Sequence, residues 1–371
     1  MSRREPADPT HAGATADGEA SVPPPSGPAG SPTLEQVARE AGVSLATASR
    51  ALNGSTRNVR PEYRERVLAA ARRLDYSPNL AAQAVAKGGS LTVALVVADI
   101  TDPYFSSITS GVLHAAEELG LITTLAITER QPERESVLVR VLRGQRPKVI
   151  IVAGSRTGSA QDDELAAELA AFGRNGGRVA LISQPSLPFR TVDIQNGAGA
   201  AALAERMIQL GYRSPAVLSG PAGLATARER TAGFVDTFAA HGHPVPEDRI
   251  IPGEFTRNGG FLAAEQLRRR GLSDVDLVFA VNDVMAVGAM VYLRDVGVAV
   301  PRDVAVAGFD DIDSLRDVTP SLTTVALPLA QIGRAAVELA LRDDEDGADP
   351  ARLPIEGAVM VRESTPPRDA P

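Results

Sequence analysis

Apolar positions near the start of the chain recur at helical spacing, then give way to short apolar runs. Val37, Ala38 and Ala41 share one helix face, and Gly42 ends that helix. Thr33 and Gln36 ahead of them have the spacing of a capping box. Ser44 is placed to cap a second helix over 45–52, with Val43, Ala48 and Leu52 turned inward. Pro61 suits the first turn of a third helix over 62–74, whose inner stripe is Val67, Ala70, Ala71 and Leu74. Residues 76–90 read as a linker with a short helical stretch at 79–86, ended by Gly88 and Gly89. From residue 91 apolar runs alternate with helical segments. The runs are Leu91–Ala98, Ile122–Ile127, Val149–Val152, Val179–Ile182, Ala216–Leu218, Leu277–Val281, Val304–Ala307, Leu322–Val325 and Ala358–Val361. Helices are predicted near 103–119, 131–144, 160–175, 197–210, 223–241, 257–270, 283–296 and 329–342. Such alternation implies parallel sheets covered by helices. The length favours two doubly wound lobes, and an eight-stranded β/α barrel stays open as the alternative.

Composition narrows the chemistry. The 371 residues contain no cysteine, which removes disulfides, Cys-ligated zinc, Fe–S clusters and thiol catalysis. His11, His114, His241 and His243 make no metal-ligand pattern, so no metal or other cofactor is expected. No apolar run approaches the about 20 residues of a membrane helix, and no apolar stretch follows Arg3 and Arg4, so a soluble cytoplasmic protein is expected. Residues 1–31, rich in Pro, Gly, Ala and Ser, read as a disordered leader. Charge is uneven. Residues 32–90 hold nine basic side chains (Arg39, Arg50, Arg57, Arg60, Arg64, Arg66, Arg72, Arg73, Lys87) against five acids (Glu35, Glu40, Glu62, Glu65, Asp75), a surplus of +4. The leader sets Arg3 and Arg4 against Glu5, Asp8, Asp17 and Glu19, a balance of −2. With −8 overall, the remaining chain carries −10. A small basic block on a large acidic body points to a polyanion-binding module.

The first two helices and their tight Gly turn have the size of a helix-turn-helix. The segment Thr33-Leu-Glu-Gln-Val-Ala-Arg-Glu-Ala-Gly-Val-Ser-Leu-Ala-Thr-Ala-Ser-Arg-Ala-Leu-Asn-Gly54 resembles the headpiece of the lactose/galactose repressor family. The likeness continues through Arg64-x-x-Val67 and Leu74-x-Tyr76-x-Pro78-Asn79. The resemblance implies that Ser44 starts a recognition helix whose first turn enters the major groove. Leu45 and Ala46 fall where the family reads bases, and being aliphatic they suit a thymine methyl. Thr47 and Ser49 would hold phosphates or bases, Arg50 would read guanine through a bidentate contact, and Asn53 would hold the DNA backbone. Tyr76 and Asn79 close the DNA-contacting block. The 79–86 segment would form a hinge helix in the minor groove, with Ala82 and Gln83 along its floor and Val85 as the wedge. The family uses leucine there, so a shallower wedge is expected. Arg60 stands where a capping Ser or Thr is usual.

The rest of the chain resembles the family's core, itself similar to periplasmic sugar-binding proteins: two lobes, three crossovers and a ligand in the cleft. The landmarks are Asp99-Ile-Thr-Asp-Pro-Tyr-Phe105, Asn196, Gly220-Pro221, Arg230-x-x-Gly233-Phe234, Asn282-Asp283-x-Met-Ala-x-Gly288, Gly308-Phe-Asp-Asp311 and Thr319-Pro-x-Leu-Thr-Thr324. Effector contacts are expected from Asp102, Asn196, Arg230 and Asp283, with Tyr104, Phe105 and Phe255 as apolar or stacking walls. Gln195 stands where the family often has Asp. Gly197-Ala-Gly199-Ala-Ala-Ala202 mimics a dinucleotide motif, but the strand ending Leu218-Ser219-Gly220 lacks the acid such a site requires.

The expected organisation is a disordered leader (1–31), an all-α helix-turn-helix headpiece (32–77), a hinge and linker (78–90), an α/β two-lobed core (91–365) and a tail (366–371). The N-lobe is placed at about 91–190 plus 309–326, and the C-lobe at about 191–308 plus 327–365. The implied function is a homodimeric transcription regulator, most simply a repressor. It would bind a pseudo-palindromic double-stranded operator under control of a small-molecule effector, a sugar or sugar derivative. Two rival readings are a cytoplasmic carrier or sensor without DNA binding, opposed by the intact Ser44–Asn53 segment, and an enzyme, for which no nucleophile–base pair or phosphate loop speaks. The tail lacks the heptads of a tetramerising helix.

Overall fold

A computed structural model describes residues 32–52, 59–77, 90–343 and 351–368. The chain divides into two compact units, residues 1–79 and 80–371. The predicted disordered leader and the hinge stretch 79–86 lie outside the described residues.

The first unit holds α1 (Leu34–Ala41), α2 (Leu45–Leu52) and α3 (Pro61–Arg73). The capping box forms: Gln36 N donates to Thr33 Oγ1 at 3.3 Å, and Thr33 N donates to Gln36 Oε1 at 2.7 Å. Gly42 takes a left-handed φ of 61°, the turn between α1 and α2. Thr47 N donates to Ser44 Oγ at 3.2 Å, so Ser44 caps α2. Arg60 offers no side-chain cap, and Pro61 opens α3. The core is Val37, Ala38, Ala41, Ala48, Ala51, Val67, Ala70 and Ala71. Ala51 takes the fully inward place, and Leu52, expected there, is half-buried beside it.

The second unit contains two open sheets, which excludes the barrel. The N-lobe sheet has strand order β11-β5-β4-β3-β1-β2, all parallel. Its strands are β1 (Thr92–Val97), β2 (Ile122–Ile127), β3 (Val149–Ala153), β4 (Arg178–Ser183), β5 (Arg190–Ile194) and β11 (Arg352–Ile355). The C-lobe sheet has order β7-β6-β8-β9, also parallel, from β6 (Pro215–Leu218), β7 (Ile250–Ile251), β8 (Leu277–Ala280) and β9 (Ala305–Ala307). A third, antiparallel pair joins β10 (Thr324–Ala326) to β12 (Ala358–Met360). The covering helices of the N-lobe are α4 (Pro103–Glu118), α5 (Glu133–Gly144), α6 (Ala160–Arg174) and α11 (Leu329–Leu341). Those of the C-lobe are α7 (Asn196–Gln209), α8 (Ala225–Ala240), α9 (Arg257–Arg270) and α10 (Asp283–Asp295).

The chain passes between the lobes three times: after Ile194, between Ala326 and Leu329, and between Ile355 and Ala358. This corrects the expected lobe boundaries. The N-lobe runs through Ile194 and reclaims Leu329–Ile355, while 309–326 stay with the C-lobe. The physical reason is β5, whose Thr191-Val-Asp193 lacks a continuous apolar run yet pairs with β4 on one side and β11 on the other. Helix α11 then packs on α4 and on β3, β4 and β5. The α4–α11 contact is close enough to demand glycine. A Cβ on Gly111 would lie 1.9 Å from Ala330 O, and one on Gly333 would lie 2.1 Å from Ile108 O. Residues 358–365 return to the C-lobe, where Ser364 Oγ donates to Val306 O at 2.7 Å.

Candidate functional site

Helix α2 presents Leu45 (52% exposed) and Ala46 to solvent from its first turn. Thr47, Ser49 and Arg50 are half-buried. The Thr47 and Ser44 hydroxyls pair at 2.8 Å, and Arg50 Nε donates to Ala46 O at 3.0 Å. Residues 46 and 50 stand one turn apart on one face. Tyr76 is half-buried against the headpiece core, which gives its ring a packing role. Asn53, Asn79, Ala82, Gln83 and Val85 lie outside the described residues.

A cavity of about 450 Å³ lies between the lobes of the second unit. It forms at the carboxyl ends of parallel strands, where a doubly wound sheet offers its loops and helix starts. Six of the predicted effector residues line it: Asp102, Tyr104, Phe105, Asn196, Arg230 and Phe255. The seventh, Asp283, does not. It is fully buried beneath the cavity, accepting from Ile312 N at 3.1 Å and Thr324 Oγ1 at 2.7 Å. It thus ties α10 to the segment leading into β10. Its place at the cavity is taken by Asp310, from the Gly308-Phe-Asp-Asp311 block.

The C-lobe wall is a polar knot around Arg230, only 2% exposed. Its Nε donates to Asn196 Oδ1 at 2.9 Å and its Nη1 to Val281 O at 2.8 Å. Nη2 lies 2.9 Å from Asp310 Oδ1, and the guanidinium stacks 3.8 Å from the Phe309 ring centroid. Asp310 Oδ1 receives no aligned hydrogen bond from within the chain. Burial raises the Asp310 carboxyl, and the Arg230 guanidinium 2.9 Å away opposes that rise. Burial likewise lifts Asp283 to about 6 and raises the Tyr104 hydroxyl, with Asp310 adding to it.

The N-lobe wall is built around Arg130, which the sequence pattern did not single out. Its Nη2 donates to Asp102 Oδ2 at 2.8 Å and its Nε to Asp99 Oδ2 at 3.1 Å. Burial alone would raise Asp99, but hydrogen bonds from Thr101 and the charge of Arg130 bring it below its ordinary value. Glu129 and Arg130 both take left-handed φ, 57° and 60°, as do Asp310 and Asp311 at 120° and 57°. Each costs about 1–3 kcal/mol, strain of the kind stored at ligand sites.

The lobes also bond directly across the cleft. Gln184 Nε2 donates to Thr226 Oγ1 at 2.9 Å and to Glu229 Oε2 at 3.1 Å, while its Oε1 accepts from Arg156 N at 2.9 Å. Ala225 N donates to Arg156 O at 2.8 Å and Thr226 N to Ser155 Oγ at 3.0 Å. The start of α8 therefore docks on the loop after β3. The Gly197 run opens α7 for packing: a Cβ on Gly233 of α8 would lie 2.2 Å from Gly197 O. Among the described residues no group of three or more His, Asp or Glu is placed to hold a metal, and no helix is long and apolar enough to cross a membrane.

Comparison with known proteins agrees with both halves. Residues 33–79 match the model of bacterial regulatory proteins of the lacI family, and residues 204–365 match that of the periplasmic binding protein-like domain. The transcriptional regulator CelR of Thermobifida fusca is 35% identical over 342 residues, covering 90% of this chain and 98% of CelR. GalS of Salmonella typhimurium is 34% identical, covering 84% of this chain and 89% of GalS. Among solved structures, a CelR–cellobiose complex matches with a TM-score of 0.66 at 33% identity, covering 90% of this chain and 99% of that one. The Lac repressor bound to ONPG in its repressed state matches with a TM-score of 0.76 at 25% identity, covering 90% and 99%. With its headpiece, its two-lobed core and relatives that align along nearly their whole length, the chain belongs to the LacI family of bacterial regulatory proteins and is a DNA-binding transcriptional regulator.

Proposed function

We propose that this regulator is a cytoplasmic repressor, that it binds a pseudo-palindromic operator as a homodimer, and that a sugar in the inter-lobe cavity sets its affinity for DNA. The observation that carries the reading is the cavity, with a fixed guanidinium fork (Arg230), an acceptor without an aligned donor (Asp310 Oδ1) and aromatic walls. Adjacent sugar hydroxyls need donors and acceptors at fixed spacing, and apolar ring faces pack on Tyr104, Phe105 and Phe255. The sugar named with CelR supports the same class. Asp102 and Asn196 complete the polar contacts. The cavity serves binding without turnover, a reading supported by relatives named as transcriptional regulators.

On DNA, Leu45 and Ala46 take apolar contacts in the major groove and Arg50 reads guanine, with Thr47 and Ser49 on backbone or base edges. Asn53, Tyr76 and Asn79 flank them, and Ala82, Gln83 and Val85 meet the minor groove. Ligand and DNA binding are linked, so a sugar that weakens operator binding binds the DNA complex more weakly by the same factor. Fluorescence anisotropy on operator DNA across a sugar panel tests this. At least one sugar is expected to shift operator affinity; a panel without effect on a protein that binds its operator would refute effector control by sugars.

A further inference from the structure

The charges around the cavity narrow the effector class, given the proposal that the cavity takes a sugar. Its ionic lining residues are four carboxylates (Asp102, Glu135, Glu254, Asp310) and two guanidiniums (Arg130, Arg230). Neither guanidinium is spare. Arg130 is held by Asp99 and Asp102, and Arg230 by Asp310. Glu135 is matched by the buried Arg156, which also faces Asp162 at 3.4 Å. Glu254 adds an exposed negative charge.

Backbone donors at the starts of α4, α6, α8 and α10 are occupied as well. The turn before α6 points Thr157 N and Gly158 N at Asp162 Oδ2, at 2.9 and 2.7 Å. Asp102 caps α4 through Tyr104 N at 3.0 Å, and Asn282 caps α10 through Met285 N at 3.0 Å. The first amides of α8 are spent across the cleft on Arg156 O and Ser155 Oγ. An anionic ligand at any of these four helix starts would have to displace the group that holds its amides.

We infer that the effector is an uncharged sugar and that the cavity rejects sugar phosphates and uronic acids. Rejection rests on carboxylates that hold the arginines, above all Asp99 and Asp102 on Arg130. Asn at either position keeps the local structure, because Asn also caps helices and makes the same turn.

Calorimetry on the full chain with glucose, galactose and cellobiose against glucose 6-phosphate, glucuronate, galactose 6-phosphate and cellobiose 6-phosphate tests the inference. Every sugar that binds is expected to outcompete its charged counterpart by at least about tenfold. In the Asp99→Asn/Asp102→Asn variant, the freed Arg130 is expected to narrow that gap. A charged member that binds as tightly as its neutral partner overturns the inference and leaves the sugar reading standing. A gap unchanged in the double variant overturns the charge basis. A panel in which no sugar of either kind binds overturns the sugar reading itself, and the inference with it.

Discussion

Replacing Gln184 by Glu tests the bond across the cleft with a change of one atom. Glu keeps the Oε1 that accepts from Arg156 N, but puts an oxygen where Nε2 donated to Glu229 at 3.1 Å and Thr226 at 2.9 Å. Two carboxylates at that distance repel by about 5 kcal/mol at an effective dielectric of about 20. The new side chain escapes most of this by taking a proton, which restores a donor. Protonating a glutamate of ordinary pKa about 4.3 costs about 4 kcal/mol at pH 7 and about 1 kcal/mol at pH 5. Protonation is the cheaper route at both pH values, so it sets the cost. Hydrogen exchange at Ala225 and Thr226 reads the contact, since their amides donate to Arg156 O and Ser155 Oγ across the cleft. After correction for intrinsic rates, Gln184→Glu is expected to lose protection there at pH 7 and regain most of it at pH 5, with the wild type little changed. Protection equal to wild type at pH 7, or a loss independent of pH, would refute a latch built on Gln184.

Other outcomes follow from the same geometry. Arg50→Ala is expected to weaken specific operator binding by about 1–3 kcal/mol while leaving sugar affinity unchanged, which anisotropy and calorimetry separate. Arg230→Lys keeps the charge but loses the fork, so sugar affinity is expected to fall more than about tenfold in a calorimetric titration. Asp283, raised to about 6 by burial, contributes stability that is complete below its unfolded value near 3.8 and lost as pH rises through about 6. The span is about 3 kcal/mol, and Asp283→Asn, able to pair with both Ile312 N and Thr324 Oγ1, is expected to flatten that part of the urea-stability profile. Gly333→Ala forces a Cβ to 2.1 Å from Ile108 O and is expected to cost about 1–3 kcal/mol, seen as a lower Tm of the core.

The headpiece was legible almost to the residue, because capping, glycine and apolar spacing act locally. The Thr33–Gln36 box, the Gly42 turn and the Ser44 cap all follow from neighbours in sequence. In the core, helices were legible to within a few residues for the same reason. Strand β5 and the lobe boundaries were not, since Arg190–Ile194 earns its place only by pairing with β4 and β11, the latter over 150 residues away. Asp283 and Asp310 show the limit at the site. Both sit in polar blocks visible in the sequence, but Asp310 lines the cavity from a left-handed backbone, which no pattern encodes. Arg130 was invisible for a similar reason, and Gln184 because its partners come from the other lobe.

Selection of binding sites from random DNA with the purified full chain, followed by anisotropy on the selected sequence, tests most directly that the headpiece reads DNA under control of the cavity. The expected result is a pseudo-palindromic site, bound with a steep salt dependence. Its affinity is expected to shift with a neutral sugar in the wild type and to stop shifting in Arg230→Lys. No sequence preference over random DNA, or a sugar response that survives intact in Arg230→Lys, would contradict it.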